Sequence, residues 1–147
     1  MKKVAIIIAG IGLGIWTYFL FAGENNVYRV VVHGTNPVTA LSKKQLSQIF
    51  LKKVEKWDHG KEMHPVDLLD DSPIRDVFTQ DIHQKELIKI IAYWKKEFFK
   101  NQIASPPQMQ DEMGVITYIE SDSGAIGYIS SSIPIAGHNI KILSVNN

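Results

Sequence analysis

Four consecutive residues near the middle of the chain, Ser72-Pro73-Ile74-Arg75, bring together a hydroxyl, a backbone amide and a cation. Serine before proline is a good helix N-cap: its hydroxyl accepts an orphan first-turn N–H, and proline at the first helical position has no N–H to lose. A helix is therefore predicted to open at Pro73. The unpaired N–H groups of such a turn, with the positive end of the peptide dipoles, attract an anion. Ser72, the N–H of Ile74 and Arg75 are thus candidate ligands for an oxyanion. Asp71 stands just before the cap, where its charge opposes an anion, so it is a candidate modulator rather than a ligand. Serine–proline after a strand is also how many α/β chains simply begin a helix, so the stretch alone leaves both readings open.

Other chemistries find less support. The chain has no cysteine, which excludes disulfides, thiolate zinc sites and cysteine nucleophiles. Neither a Gly-x-Ser-x-Gly elbow nor a metalloprotease helix occurs, and no catalytic constellation can be assembled from spacing. The expectation is a non-enzyme with no catalytic residues and no cofactor. His59 and His64 flank a loop with Asp58, but the five histidines are scattered and need no metal to explain them. Asp70 and Asp71 are neighbours in sequence, which seldom face one another, and read as a solvated turn. The 16 basic residues against 15 acidic fall to 14 once Lys2 and Lys3 are set aside, a near-neutral domain with no footprint for nucleic acid.

Those two lysines precede an uncharged run from Val4 to Gly23, followed by polar Glu24-Asn25-Asn26. Residues 1–24 read as an export signal or an N-terminal membrane anchor, since the run approaches the ~20 residues a helix needs to cross a bilayer. Leu20-Phe21-Ala22 is a poor cleavage site, which leaves cleaved signal and anchor both open. Either way the lysines hold the N-terminus in the cytoplasm and send the rest outward. The domain itself is expected over residues 27–147.

Its elements follow from periodicity. Val27 to Val32 is β-branched and aromatic and reads as a strand. Ser42 caps a helix to about Leu51, with Gln45 at the capping-box position and Leu46, Ile49 and Phe50 on one face. Lys52, Lys53 and Lys56 suit its solvated C-terminal end. Trp57 is expected in the core. Pro65 to Leu69 reads as a short buried strand, and Ile74, Val77, Phe78 and Ile82 give the helix after Pro73 an inward face. From about Lys85 to Lys100, Leu87, Ile91, Trp94 and Phe98 mark a longer amphipathic helix whose aromatic stripe is expected to be core. Ser105-Pro106-Pro107 predicts another helix start, running to about Glu120. Ala125 to Ser130 is expected as a buried strand and Asn139 to Val145 as the last. Strands separated by helices argue for an α/β domain with a sheet flanked by helices.

The order of these pieces resembles the periplasmic phosphate-binding proteins of ABC transporters, which have a type 2 periplasmic-binding-protein fold. The matching stretches run from Asn36-Pro37 through Phe50-Leu51, over Lys56-Trp-Asp-His-Gly-Lys61 and Pro65-Val-Asp67, to Ser72 with Phe78, and end at Ser123-Gly-Ala-Ile-Gly-Tyr128. The resemblance implies a mixed sheet, export to the periplasm, and an oxyanion held at a Ser-Gly-Thr turn, whose serine falls on Ser72. It also implies work alongside ABC transporter membrane proteins. Two departures stand out. About 120 residues outside the N-terminal run make one lobe, not the two of a clamshell, and Pro73 and Ile74 replace the glycine and threonine of the turn, removing one N–H and one hydroxyl.

The expectation is therefore an exported, single-lobe solute-binding domain for phosphate or a similar oxyanion, periplasmic or otherwise extracytoplasmic, with the inner membrane as its anchor if the segment is uncleaved. A second reading is a ligand-free interaction or scaffold domain in an envelope complex. A homodimer is one way to rebuild a two-lobed cleft.

Overall fold

The computed structural model describes residues 3–9, 16–22 and 27–147. In the first two stretches, β1 (Lys3–Ala9) and β2 (Trp16–Ala22) pair antiparallel, with Lys3 opposite Ala22 and Ala9 opposite Trp16. A uniformly apolar run rich in β-branched and aromatic residues carries no period that separates strand from helix. Among the described residues no helix is long and apolar enough to cross a membrane. The remainder of the 1–24 segment lies outside them.

The domain is built in chain order from β3 (Tyr28–His33), β4 (Ala40–Ser42), α1 (Lys43–Phe50), β5 (His64–Pro65) and β6 (Asp67–Leu68). Next come α2 (Pro73–His83), α3 (Leu87–Asn101), β7 (Gln108–Met109), α4 (Glu112–Ser121), β8 (Ala125–Ser130) and β9 (Ile140–Asn146). Five strands form a mixed sheet in the order β4-β9-β3-β8-β5, and β6 and β7 form a separate parallel pair. The central strand β3 runs antiparallel to both neighbours, with Val30 opposite Tyr128 and Leu143, while β4 and β5 are parallel to β9 and β8. This is the expected α/β architecture of a mixed sheet flanked by helices.

Val30, Val31 and Val32 are buried in succession, as a strand covered on both faces requires. Leu46, Ile49 and Phe50 of α1, Phe78 and Ile82 of α2, and Val115, Ile116 and Ile119 of α4 close over the sheet. Phe78 stacks on Tyr128 at 3.8 Å and meets Phe50 edge-on at 4.9 Å. Trp57 is buried as expected and donates its indole N–H to the Gly124 carbonyl at 3.0 Å. The capping box of α1 forms as read, Ser42 Oγ accepting from Gln45 N–H and Gln45 Oε1 from Ser42 N–H.

Two expectations are corrected. The helix read from Ser105 begins instead at Glu112, where Asp111 Oδ1 accepts the Gly114 N–H at 2.8 Å. Successive prolines disfavour helix in the residue before each, and the Pro107 carbonyl accepts the Asp67 N–H at 2.9 Å, so Gln108-Met109 extends as β7 beside β6. The aromatic stripe of α3 is only half core. Ile90 and Trp94 are buried, but Phe98 is 52% and Phe99 80% exposed. The helix rests on the body along one narrow edge, leaving its outer side in solvent.

Gly124 marks a close approach of two backbones. A Cβ there would overlap the Glu62 carbonyl oxygen, whereas at Gly127 it would press on the methyl tips of Val115 and Val66 at 2.8 and 2.9 Å. Side-chain tips can shift and a hydrogen-bonded backbone cannot, so both alanine variants should lose about 1–3 kcal/mol, with Gly124→Ala the worse. Urea melts of the two variants check the order.

Candidate functional site

The stretch from β6 into α2 forms largely as its residues dictate. Ser72 is extended (φ −71°, ψ 124°) and its Oγ accepts the Arg75 N–H at 3.3 Å, with Pro73 in the first turn. The second helical position, Ile74, has no carbonyl four residues back within the helix, so its N–H stays available. Ser72 and Ile74 are half-buried, and Asp71 and Pro73 are exposed. The structure thus brings the Ser72 hydroxyl and the Ile74 N–H to one helix end, with exposed Asp71 the residue before the cap.

Arg75 lies differently from a surface ligand. It is 2% exposed, and its guanidinium turns inward under the turn. Nη1 donates to the Leu68 carbonyl at 2.8 Å and to Asp70 Oδ1 at 2.6 Å, and Nη2 lies 3.9 Å from Asp67 Oδ2. Asp70 Oδ1 also accepts from Gln108 Nε2 at 3.0 Å. Asp67 is buried and its Oδ1 accepts the Tyr128 hydroxyl at 2.9 Å, while the Tyr128 oxygen accepts the Leu68 N–H at 3.3 Å. Burial pushes the Asp67 carboxyl up to about 6, against the pull of Arg75 and the Tyr128 hydroxyl. Burial, reinforced by Asp67, also raises the Tyr128 phenol, which stays protonated at neutral pH.

This network bolts β6, β7, β8 and the first turn of α2 together. A single guanidinium spans the turn from residue 68 to residue 75 and neutralises Asp70, while Asp76 in the first turn of α2 adds a further acid at this helix end. Asp67, Gln108 and Tyr128 were not singled out by the sequence as site residues. The signal for the first was present: an acid inside the apolar run Val66-Asp67-Leu68-Leu69 needs a partner if the run is buried. Its partner Tyr128 lies 61 residues away, and spacing cannot reveal such a pair.

The histidine loop does not converge on a metal-binding geometry. His64 Nδ1 is 2.6 Å from Asp122 Oδ2, and the His59 ring stacks on Trp57 at 6.3 Å. Among the described residues no group of three or more His, Asp or Glu is placed to hold a metal ion. Two clefts stand out among the described residues. One of about 320 Å³ is lined by Asp70, Arg75, Trp94, Phe98 and Gln108 among others. The other, of about 560 Å³, lies beside Tyr28, Lys43 and Asp81, where Asp81 accepts from Lys43 Nζ at 2.7 Å and from the Tyr28 hydroxyl at 2.6 Å. Neither is lined by Ser72 or Ile74.

Comparison with known proteins agrees with this architecture. The sequence model of the PBP superfamily domain, the periplasmic-binding-protein superfamily, matches residues 26–141. The chain therefore belongs to that family, whose members are solute-binding domains rather than an enzyme class. No curated protein sequence matches it. Among solved structures, an ABC-type phosphate transport receptor from Vibrio cholerae superposes with a TM-score of 0.62 at 19% identity, covering 80% of this chain and 45% of that one. PstS from Borrelia burgdorferi gives 0.58 at 16%, covering 82% and 47%. A protein from Clostridium perfringens, solved with bound phosphate, gives 0.58 at 20%, covering 80% and 44%. The chain spans less than half the length of these structures, and the fold it shares with them is that of one lobe.

Proposed function

We propose that this domain binds a small oxyanion, phosphate or one of similar geometry, at the N-terminus of α2. The observation that carries the reading is the Ser72 hydroxyl and the Ile74 N–H meeting at an open helix end, in a chain of the periplasmic-binding-protein superfamily. Ser72 and Ile74 contact the anion. Arg75 acts from beneath, fixing the turn and cancelling the charge of Asp70, and Asp71 weakens binding by repulsion. Pro73 supplies no donor, and the seat is wet, so its hydrogen bonds are weaker than in a closed cleft. Affinity in the micromolar range or looser follows.

The domain works outside the cytoplasm, carried or held there by its N-terminal segment, with ABC transporter membrane proteins or another envelope protein as partner. A second copy is one source of the missing cleft wall.

Calorimetric titration of the full chain with phosphate and then sulfate, at low salt, tests the reading. Saturable binding is expected, and Ser72→Ala combined with Pro73→Glu should abolish it, because the pair removes the hydroxyl and sets a carboxylate beside the one free amide while glutamate suits a first helical turn. Asp71→Asn should tighten binding about fivefold, the worth of one solvated charge at contact range. Unchanged binding in the double variant would place the anion elsewhere.

A further inference from the structure

The outer side of α3 carries the two most exposed large apolar side chains among the described residues, Phe99 at 80% and Ile88 at 63%. At about 100° per residue, Ile88, Ala92 and Phe99 lie within roughly 40° of one another around the helix, opposite the side through which Ile90 and Trp94 are buried. Lys95 borders this stripe on one side, and Lys96, Lys89 and Lys100 border it on the other, all of them exposed.

Charge is segregated onto the same element. Residues 85–100 hold five lysines against Glu86 and Glu97, while the rest of the chain after Lys3 has nine basic residues against thirteen acidic. Glu97 is engaged by Asn101 Nδ2 at 3.0 Å. A helix with an apolar stripe edged by lysines and lying along the surface of a domain is built for the boundary of an anionic bilayer, where the apolar groups enter the headgroup region and the lysine stems reach out to phosphates. A protein partner is less well matched, because the buried centres of protein interfaces are depleted in lysine.

We infer that the outer face of α3, centred on Ile88, Ala92 and Phe99 and edged by Lys89, Lys95, Lys96 and Lys100, docks on an anionic lipid surface. This contact is separate from the N-terminal segment and orients the domain on the membrane.

The absence of cysteine allows a clean test on the full chain. An environment-sensitive dye is attached at Ala92→Cys, or at Asp58→Cys on the exposed loop after Trp57, and each protein is mixed with phosphatidylglycerol-rich or pure phosphatidylcholine vesicles. The N-terminal segment acts alike on both labelled proteins and cannot by itself separate them. The expected result is a blue-shifted, several-fold brighter emission at position 92 on anionic vesicles alone, with position 58 unchanged. Lys95→Gln with Lys96→Gln should weaken that response about 25-fold in lipid concentration, near fivefold per lysine, and Ile88→Ser with Phe99→Ser should remove it. These are surface changes, and circular dichroism melts confirm that the variants are folded. No change at position 92, or an equal change on neutral vesicles, would overturn the proposal. So would an emission change that grows with protein concentration without lipid, which would identify a second copy as the occupant.

Discussion

Arg75→Ala should destabilise the domain by about 3–5 kcal/mol, the range found when one partner of a buried ion pair is removed. The reason is what remains. Asp67 is buried with its second carboxylate oxygen 3.9 Å from the guanidinium, and the Leu68 carbonyl loses its donor at 2.8 Å. Asp70 is half exposed and can turn to water, so its share of the loss is small. A double-mutant cycle separates these contributions. Asp67→Asn keeps an acceptor for the Tyr128 hydroxyl while removing the buried charge, and in that background Arg75→Ala should cost clearly less than in the wild type. Urea midpoints at pH 7.5 read all four corners, and additive losses would mean that the two side chains do not interact.

The second large effect is hidden in the wild type. Burial raises the Asp67 carboxyl from 3.8 to about 6 in the folded state. The folded protein therefore holds this proton more tightly than the unfolded chain. The resulting stability is complete below pH ~4 and is lost as pH rises through ~6. His83 does the opposite. Its Nδ1 lies 2.8 Å from Ser47 Oγ and its ring stands edge-on to Phe78 at 6.3 Å. Burial first, then the charges of Lys85, Arg75 and Lys53, push it from 6.5 down to about 4. Stability from neutral His83 is complete above pH ~6.5 and is lost as pH falls through ~4. Each amounts to roughly 3 kcal/mol at ~1.4 kcal/mol per unit, and the two slopes nearly cancel. The wild type should thus be almost flat between pH 4 and 6. Asp67→Asn should become more stable as pH rises over that window, and His83→Gln less stable. Thermal melts at half-unit pH steps read the slopes, and parallel profiles in the two variants would refute the assignment.

Local chemistry made much of this molecule legible. Ser72-Pro73, the Ser42–Gln45 capping box and the β-branched run before His33 each specify their structure within a few residues, and each forms. The failures share a physical origin. The strand at Gln108-Met109 exists because Asp67 offers its N–H to Pro107, a pairing between segments some forty residues apart that overrides the cap-like look of Ser105. Arg75, at a position where a surface cation would suit an anion, is drawn inward by Asp67 and Asp70. The stripe on α3 has a core period, yet only one edge finds a neighbour. The N-terminal run, apolar throughout, has no period from which to choose between strand and helix. Fold and helix end could be read, but the direction in which Arg75 points was decided by Asp67 and Asp70, held in place by Tyr128 and Gln108, which only the folded chain brings beside them.

The oxyanion seat is tested most directly by the amide proton of Ile74. In a 15N-edited NMR titration with phosphate, the Ile74 resonance should move downfield and saturate, as expected for an N–H that gains a charged acceptor. Resonances of α3 and of the Lys43–Asp81 cleft should stay in place. A stationary Ile74 amide at saturating phosphate, or saturable shifts confined to another part of the domain, would contradict anion binding at the start of α2.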